Sequence, residues 1–314
     1  MLALLFPGQG SQSVGMGRDA FEASPAARAV FEAADDALGR PLSELCFSGP
    51  DEALVGTETQ QPAILTVSVA LLRALEERGP LRPAFVAGHS LGEYSALVAA
   101  GSLAFEDAVR LVAARGRFMQ ETVPAGEGAM AAVLKSTPAE VEAVCADVAK
   151  TTGRVVSPAN YNAPAQTVIA GHADAVATAS ATLAEQGAKV RPLAVSAPFH
   201  CALMEPAAER LAAELAKTAF ADPAPPVVGN VEAEPNASGA RVAELLRRQV
   251  TAPVRFVESV QRLAALGVTH ALEVGPGRVL SGLVARIERG WERANLGSAA
   301  DLDEAAAFVS AAQD

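Results

Sequence analysis

The sequence is short of the residues on which several kinds of protein depend. Only three cysteines, Cys46, Cys145 and Cys201, occur in 314 residues, with no C-x-x-C pair among them. That excludes a disulfide framework and suits a reducing cytosol. The four histidines are scattered without metal-ligand spacing, so no metal is expected. Aromatics make up 4% of the chain, which leaves the core to Ala, Val and Leu, and the net charge of −11 argues against nucleic acid or a membrane surface as partner. No apolar run reaches membrane-spanning length. The first, residues 1–6, has no basic flank and stops at Pro7-Gly8, which predicts a strand and not a signal peptide. Half the residues are nevertheless hydrophobic and 19% charged, enough to bury a large core. The length fits two average domains, or one α/β unit with an insertion.

The most informative stretch is Ala87-Gly88-His89-Ser90-Leu91-Gly92-Glu93, which carries G-x-S-x-G between an apolar run and an apolar helical pattern. Strand, sharp turn and helix are the context of a nucleophile elbow. The two glycines relieve Cβ clashes, Ser90 is lifted clear, and the helix start directs free N–H groups, that of Leu91 included, towards charge developing beside it. Upstream, a first strand empties into Pro7-Gly8-Gln9-Gly10, which has neither the lysine nor the glycine spacing of a phosphate loop. Helices are expected over residues 20–38 and 62–77.

The pattern predicts a further helix over Phe105–Thr122. At 100° per residue, Ala108, Leu111, Val112, Phe118, Met119 and Thr122 share a stripe with Arg115 at its centre. A guanidinium there needs acceptors. Two readings stand side by side: a structural ion pair or snorkelling stem, or a clamp for a substrate carboxylate. Between Gly126-Glu-Gly128 and Ser196-Ala-Pro198 the order changes to βαββαβ, which predicts an inserted ferredoxin-like subdomain at 125–196 within a large domain of 1–124 and 197–314. Cys145 reads as core. The stretch from 295 is Ala-rich and reads as peripheral.

A serine nucleophile needs a base. His89 neighbours Ser90 on a strand, where adjacent side chains point apart, His172 starts a surface helix, and His270 has no local company. His200 follows Pro198 where the insertion rejoins the large domain, a favoured place for a site. It is the first candidate, although no acid appears as a third member.

Seven segments occur in order: Phe6-Pro-Gly-Gln-Gly-Ser-Gln12, Thr59-Gln-Gln-Pro-Ala63, Gly88-His-Ser-Leu-Gly-Glu-Tyr94, Arg115-Gly-Arg-Phe-Met-Gln120, Asn160-Tyr-Asn-Ala-Pro-Ala-Gln166, Pro198-Phe-His200 and Glu273-Val-Gly-Pro-Gly277. Together they resemble the malonyl-CoA:acyl-carrier-protein transacylases and the related polyketide synthase acyltransferase domains, over residues from about 4 to 290. The resemblance implies an α/β-hydrolase-like large domain with a mostly parallel sheet and a ferredoxin-like insertion. It implies Ser90 as nucleophile, His200 as base, Arg115 as the malonyl carboxylate clamp, and the N–H groups of Gln9 and Leu91 as oxyanion hole. Gln249 would orient His200 through its main-chain carbonyl, and Phe199 matches the malonyl-selecting form.

The expected activity is malonyl transfer from malonyl-CoA to the phosphopantetheine thiol of acyl carrier protein for fatty acid synthesis, by a cytoplasmic monomer without cofactor. The alternatives are another extender unit, or a serine esterase or thioesterase. Lys189, Arg191, Arg247, Arg248, Arg286 and Arg289 are candidates for docking the acidic carrier protein.

Overall fold

The first strand, β1 (Leu2–Phe6), sets the layering, because all five of its residues are buried. Leu2, Leu4 and Phe6 enter one hydrophobic cluster, Ala3 and Leu5 another, so apolar cover lies on both faces of the sheet. The computed structural model describes residues 1–124, 126–195 and 197–313. The expected boundaries at 125 and 196 fall on Ala125 and Ser196, which lie outside the described residues, as does Asp314.

The chain continues through β2 (Phe85–Gly88), β3 (Gly128–Leu134), β4 (Val156–Ala163), β5 (Gln166–His172), β6 (Lys189–Pro192), β7 (Val227–Val228), β8 (Pro235–Asn236), β9 (His270–Val274) and β10 (Glu292–Leu296). The larger sheet runs β10-β9-β1-β2-β7-β8, parallel except for the β7–β8 pair. A separate four-stranded antiparallel sheet runs β4-β5-β3-β6, with helices Pro138–Thr152 and Ala173–Glu185 in a βαββαβ chain order. The small sheet is stitched to the large unit where Val254 donates to the Ala159 carbonyl and accepts from Tyr161 N–H, at 2.9 Å each.

Three expectations need correction. The helix over 20–38 is two, Arg18–Ala23 and Pro25–Leu38, because Ser24 is extended and its hydroxyl caps Ala27 N–H at 3.0 Å, with Pro25 fixing the first turn. The helix expected from Pro62 starts at Thr57 and contains that proline, which lies near enough to the start that only the Glu58 carbonyl loses its helical donor; Arg40 supplies one instead, at 3.5 Å. The tail is not peripheral: β10 pairs with β9, and Leu296, Leu302, Ala305 and Val309 are buried in the larger core. An edge strand needs few apolar letters, and ERANL carries only Ala294 and Leu296 inward.

Candidate active site

β1 and β2 lie side by side, so the loops leaving their carboxyl ends meet, one carrying Gly8-Gln9 and the other the elbow. The elbow requires glycine on both flanks. A Cβ on Gly88 would lie 2.0 Å from the Gly92 carbonyl, and one on Gly92 2.0 Å from the Phe6 carbonyl oxygen. Ser90 between them is held at φ 52°, a left-handed conformation that a non-glycine residue adopts only where its surroundings impose it. Asn230 supplies much of that imposition. Its Oδ1 accepts from Ser90 N–H at 2.7 Å and its Nδ2 donates to the Gly88 carbonyl at 2.6 Å.

The loop after the small sheet brings His200, itself at φ 58°, onto the serine. Nε2 lies 2.7 Å from Ser90 Oγ, and Nδ1 lies 2.8 Å from the Gln249 main-chain carbonyl. A carbonyl only accepts, so Nδ1 carries the proton and Nε2 is left to receive that of Ser90. A carbonyl thus stands where other serine sites place an acid. Burial, with Arg115 adding to it, pushes His200 down to about 3, so the resting imidazole is neutral and Nε2 keeps its lone pair for the Ser90 hydroxyl.

Arg115 reaches the same oxygen. It is 1% exposed, midway along the helix Phe105–Thr122. Its Nη2 donates to Ser90 Oγ and to Gln249 Oε1, both at 3.0 Å, and its Nη1 donates to Gln61 Oε1 at 2.7 Å. Nε has no partner among the described residues. No carboxylate pairs with this guanidinium, so the structural ion-pair reading of Arg115 finds no support among the described residues.

Beside Ser90 a cavity of about 180 Å³ opens between the two sheets, with Gln9, His89, Asn160, Asn162, Phe199 and Leu280 on its walls. The Leu91 and Gln9 amides donate to no main-chain or side-chain acceptor among the described residues, and both flank the serine. The Gln9 side chain is held away by Gln60 Oε1 at 2.6 Å. His89 lines the cavity but bonds Asn162 at 2.8 Å rather than the serine. His172 accepts from Val155 N–H on the small sheet, and His270 lies against Phe308.

Three buried residues at the site carried no role in the sequence reading. Gln61 sat in a recognised segment, and Asn230 lies in the turn after β7. Glu93, inside the elbow motif, accepts from Asn230 N–H at 3.0 Å and Gln249 Nε2 at 2.8 Å through one carboxylate oxygen. Burial raises Glu93 to about 6, against the pull of those donors and Arg115. Their common signal was polarity in an apolar context, which periodicity scores as noise.

The acyl transferase domain family matches residues 3–304. The chain is 51% identical over 286 residues to the malonyl CoA-acyl carrier protein transacylase of Escherichia coli K12, covering 91% of this chain and 92% of that one. It is 50% identical over 289 residues to the enzyme of the same name from Bacillus subtilis 168, covering 92% and 90%. Among solved structures, the malonyl CoA-acyl carrier protein transacylase of Coxiella burnetii superposes with TM-score 0.95 at 42% identity, over 98% of this chain and 97% of that one. A malonyl-transacylase in complex with a type II PKS acyl-carrier protein gives 0.94 at 45% identity, over 98% and 99%. The chain therefore belongs to the acyl transferase domain family, among its malonyl CoA-acyl carrier protein transacylases.

Proposed function

We propose that Ser90 carries a malonyl group from malonyl-CoA to the phosphopantetheine thiol of acyl carrier protein, supplying fatty acid synthesis. The observation that carries the assignment is the meeting of a neutral histidine and an arginine without a carboxylate on one serine oxygen. His200 Nε2 takes the Ser90 proton as Oγ attacks the thioester carbonyl. The amides of Gln9 and Leu91 receive the oxyanion, each donor contributing about 3 kcal/mol. Coenzyme A leaves with the proton from His200. The carrier thiol then gives its proton to His200 and attacks the malonyl ester, and Ser90 recovers the proton as it departs.

Arg115 takes the malonyl carboxylate in this scheme. Its Nη2 bond to the free serine holds the guanidinium within reach of whatever acyl group Ser90 acquires. Pinning the acyl group also restricts the angles open to water. That function sets the site apart from an esterase, and Phe199 on the cavity wall favours malonyl over bulkier extender units.

We read the large sheet and elbow as α/β-hydrolase-like, spanning 1–124 and 197–314, and residues 125–196 as ferredoxin-like. The strand order β4-β5-β3-β6 supports the second name. We also read the enzyme as a cytoplasmic monomer that needs no resident cofactor, since both steps use side chains and amides alone. The buried free cysteines suit a reducing compartment, and no helix among the described residues is long and apolar enough to cross a membrane. For the carrier protein, Arg247 and Arg248 are paired with Glu205, Glu232 and Glu244. Lys189, Arg191, Arg286 and Arg289 are exposed, and among the described residues the hydrogen bond of Arg286 goes to the neutral Gln166. These four are the better candidates for an acidic partner.

Mass spectrometry of the intact protein after malonyl-CoA tests the core of the scheme. The expected result is one malonyl group on the wild type and none on Ser90→Ala. An adduct on both proteins places the nucleophile elsewhere, and an adduct on neither removes the acyl-enzyme.

A further inference from the structure

Two opposite charges are buried at this site without touching. Arg115 bonds Gln61, Ser90 and Gln249, all neutral, and Glu93 accepts from Asn230 and Gln249, also neutral. Glu93 is 4% exposed and Arg115 1%. What joins them is one side-chain amide: Gln249 turns Oε1 to the guanidinium and Nε2 to the carboxylate. The reversed amide would aim N–H groups at a cation and an oxygen at an anion, so the two charges fix its orientation. The same residue's main-chain carbonyl holds His200.

We infer that Glu93 is a positioning residue that moderates the hold of Arg115 on the malonyl carboxylate, as the resident counter-charge relayed through the Gln249 amide. The inference rests on the transacylase reading above. A buried guanidinium with no anion of its own would bind a carboxylate so strongly that release becomes difficult; one already partly compensated binds it less tightly and lets it turn over. A malonyl group entering this site adds a second negative charge to one positive charge. An acetyl group adds none. Removing the charge of Glu93 therefore acts on malonyl and leaves acetyl nearly unaffected.

The test is steady-state transfer from malonyl-CoA and from acetyl-CoA by wild type, Glu93→Gln and Glu93→Asp, with circular dichroism to check folding. For Glu93→Gln the malonyl-to-acetyl ratio of kcat/KM is expected to rise about tenfold, the size of a unit charge acting across one amide in a partly polar interior. Most of the change should lie in the malonyl KM. Glu93→Asp keeps the charge and should keep the ratio within about twofold, even if both rates fall. A ratio unchanged in Glu93→Gln, with both donors falling together, means that Glu93 only supports the elbow and overturns the inference.

If Glu93→Gln does not fold, the wild-type ratio is followed as pH falls from about 8 to about 5.5. Glu93, raised to about 6, gains its proton in that window. Facing it, Arg115 keeps its charge, as a guanidinium does throughout this range, while His200 at about 3 and Tyr94 at about 12 do not titrate there. His89 on the cavity wall is pushed below the usual histidine range by burial. A rising ratio supports the inference and a flat one overturns it. A wild type that takes up no malonyl in the mass measurement fails the transacylase reading itself; a malonylated wild type with an unmoved ratio fails only the role of Glu93.

Discussion

The two walls of the cavity are built by different rules. On the large-sheet side, Ser90, His200, Arg115, Gln249, Asn230 and Glu93 are all at most 6% exposed, and every one is hydrogen-bonded to another of the set. On the small-sheet side, Met130 and Val168 offer buried apolar side chains, Leu193 and Val195 are 37% and 42% exposed at the mouth, and the polar side chains are Asn160 and Asn162, the latter bonded to His89. Charge develops on one wall only. That wall needs dipoles fixed before the reaction, because reorganising them during it would raise the barrier. The other wall carries no reacting group: its apolar side chains exclude water, and Asn160 and Asn162 are placed to orient a substrate arm.

The contrast breaks first where the polar wall loses a reacting group. His200→Ala should lower kcat for malonyl transfer by about 10⁶-fold, as loss of the base from a serine site does. A loss under about tenfold would mean that another group takes the proton. Arg115→Ala should follow, with malonyl transfer down by roughly the 3–5 kcal/mol of a broken buried pair. Acetyl transfer should fall less; an equal fall for both donors removes the clamp role.

Backbone comes next. Gly92→Ala puts a Cβ 2.0 Å from the Phe6 carbonyl oxygen, where neither backbone can yield without moving β1. Its Tm, read by calorimetry, should drop by about 2–5 °C, from overpacking of about 1–3 kcal/mol. An unchanged Tm would show that the elbow is looser than its geometry implies.

Acid stability should carry the signature of the same wall with two opposing signs. His200 is lowered from 6.5 to about 3, so the unfolded chain binds its proton first; this stability is complete above 6.5 and is lost as pH falls towards 3. Glu93 is raised from 4.5 to about 6, so its contribution is present below 4.5 and is lost as pH rises through 6. Chemical denaturation should show an acid loss that is steeper below 4.5, and shallower throughout in His200→Asn. An identical pH profile for that variant would place the acid sensitivity elsewhere.

How much of this could be read from the letters follows the same division. Parts with a repeating physical signal were legible: the helix Phe105–Thr122, with Arg115 in its apolar stripe, falls where periodicity places it. The alternation of strands and helices exposed the βαββαβ unit. What periodicity cannot express is a bond between distant residues. Asn230 lies 140 residues from the Ser90 amide it accepts from, and Gln249 lies 134 from Arg115. Gln249 is the last residue of an amphipathic helix and Asn230 lies in a turn, and neither looks unusual in its local sequence. The resemblance named Gln249 for its carbonyl, but nothing in the sequence reading assigned its side chain to Arg115 and Glu93. The tail misled for a related reason, because an edge strand buries one face and therefore shows few apolar letters.

The smallest effect is the most direct trial of the apolar wall. Leu193 is 37% exposed, and its backbone N–H is held by the Met130 carbonyl at 3.0 Å, so truncating its side chain leaves the main chain in place. Leu193→Ala removes three carbons that are only partly covered, each contributing less than the ~0.8 kcal/mol of a fully buried methylene. The phosphopantetheine arm common to both substrates should meet less surface, and KM should rise about two- to fivefold for coenzyme A and carrier substrates alike. The reacting atoms lie across the cavity, so kcat should not change. A fall in kcat at constant KM would mean that the small-sheet wall acts on the transition state, and the division of labour between the walls would have to be abandoned.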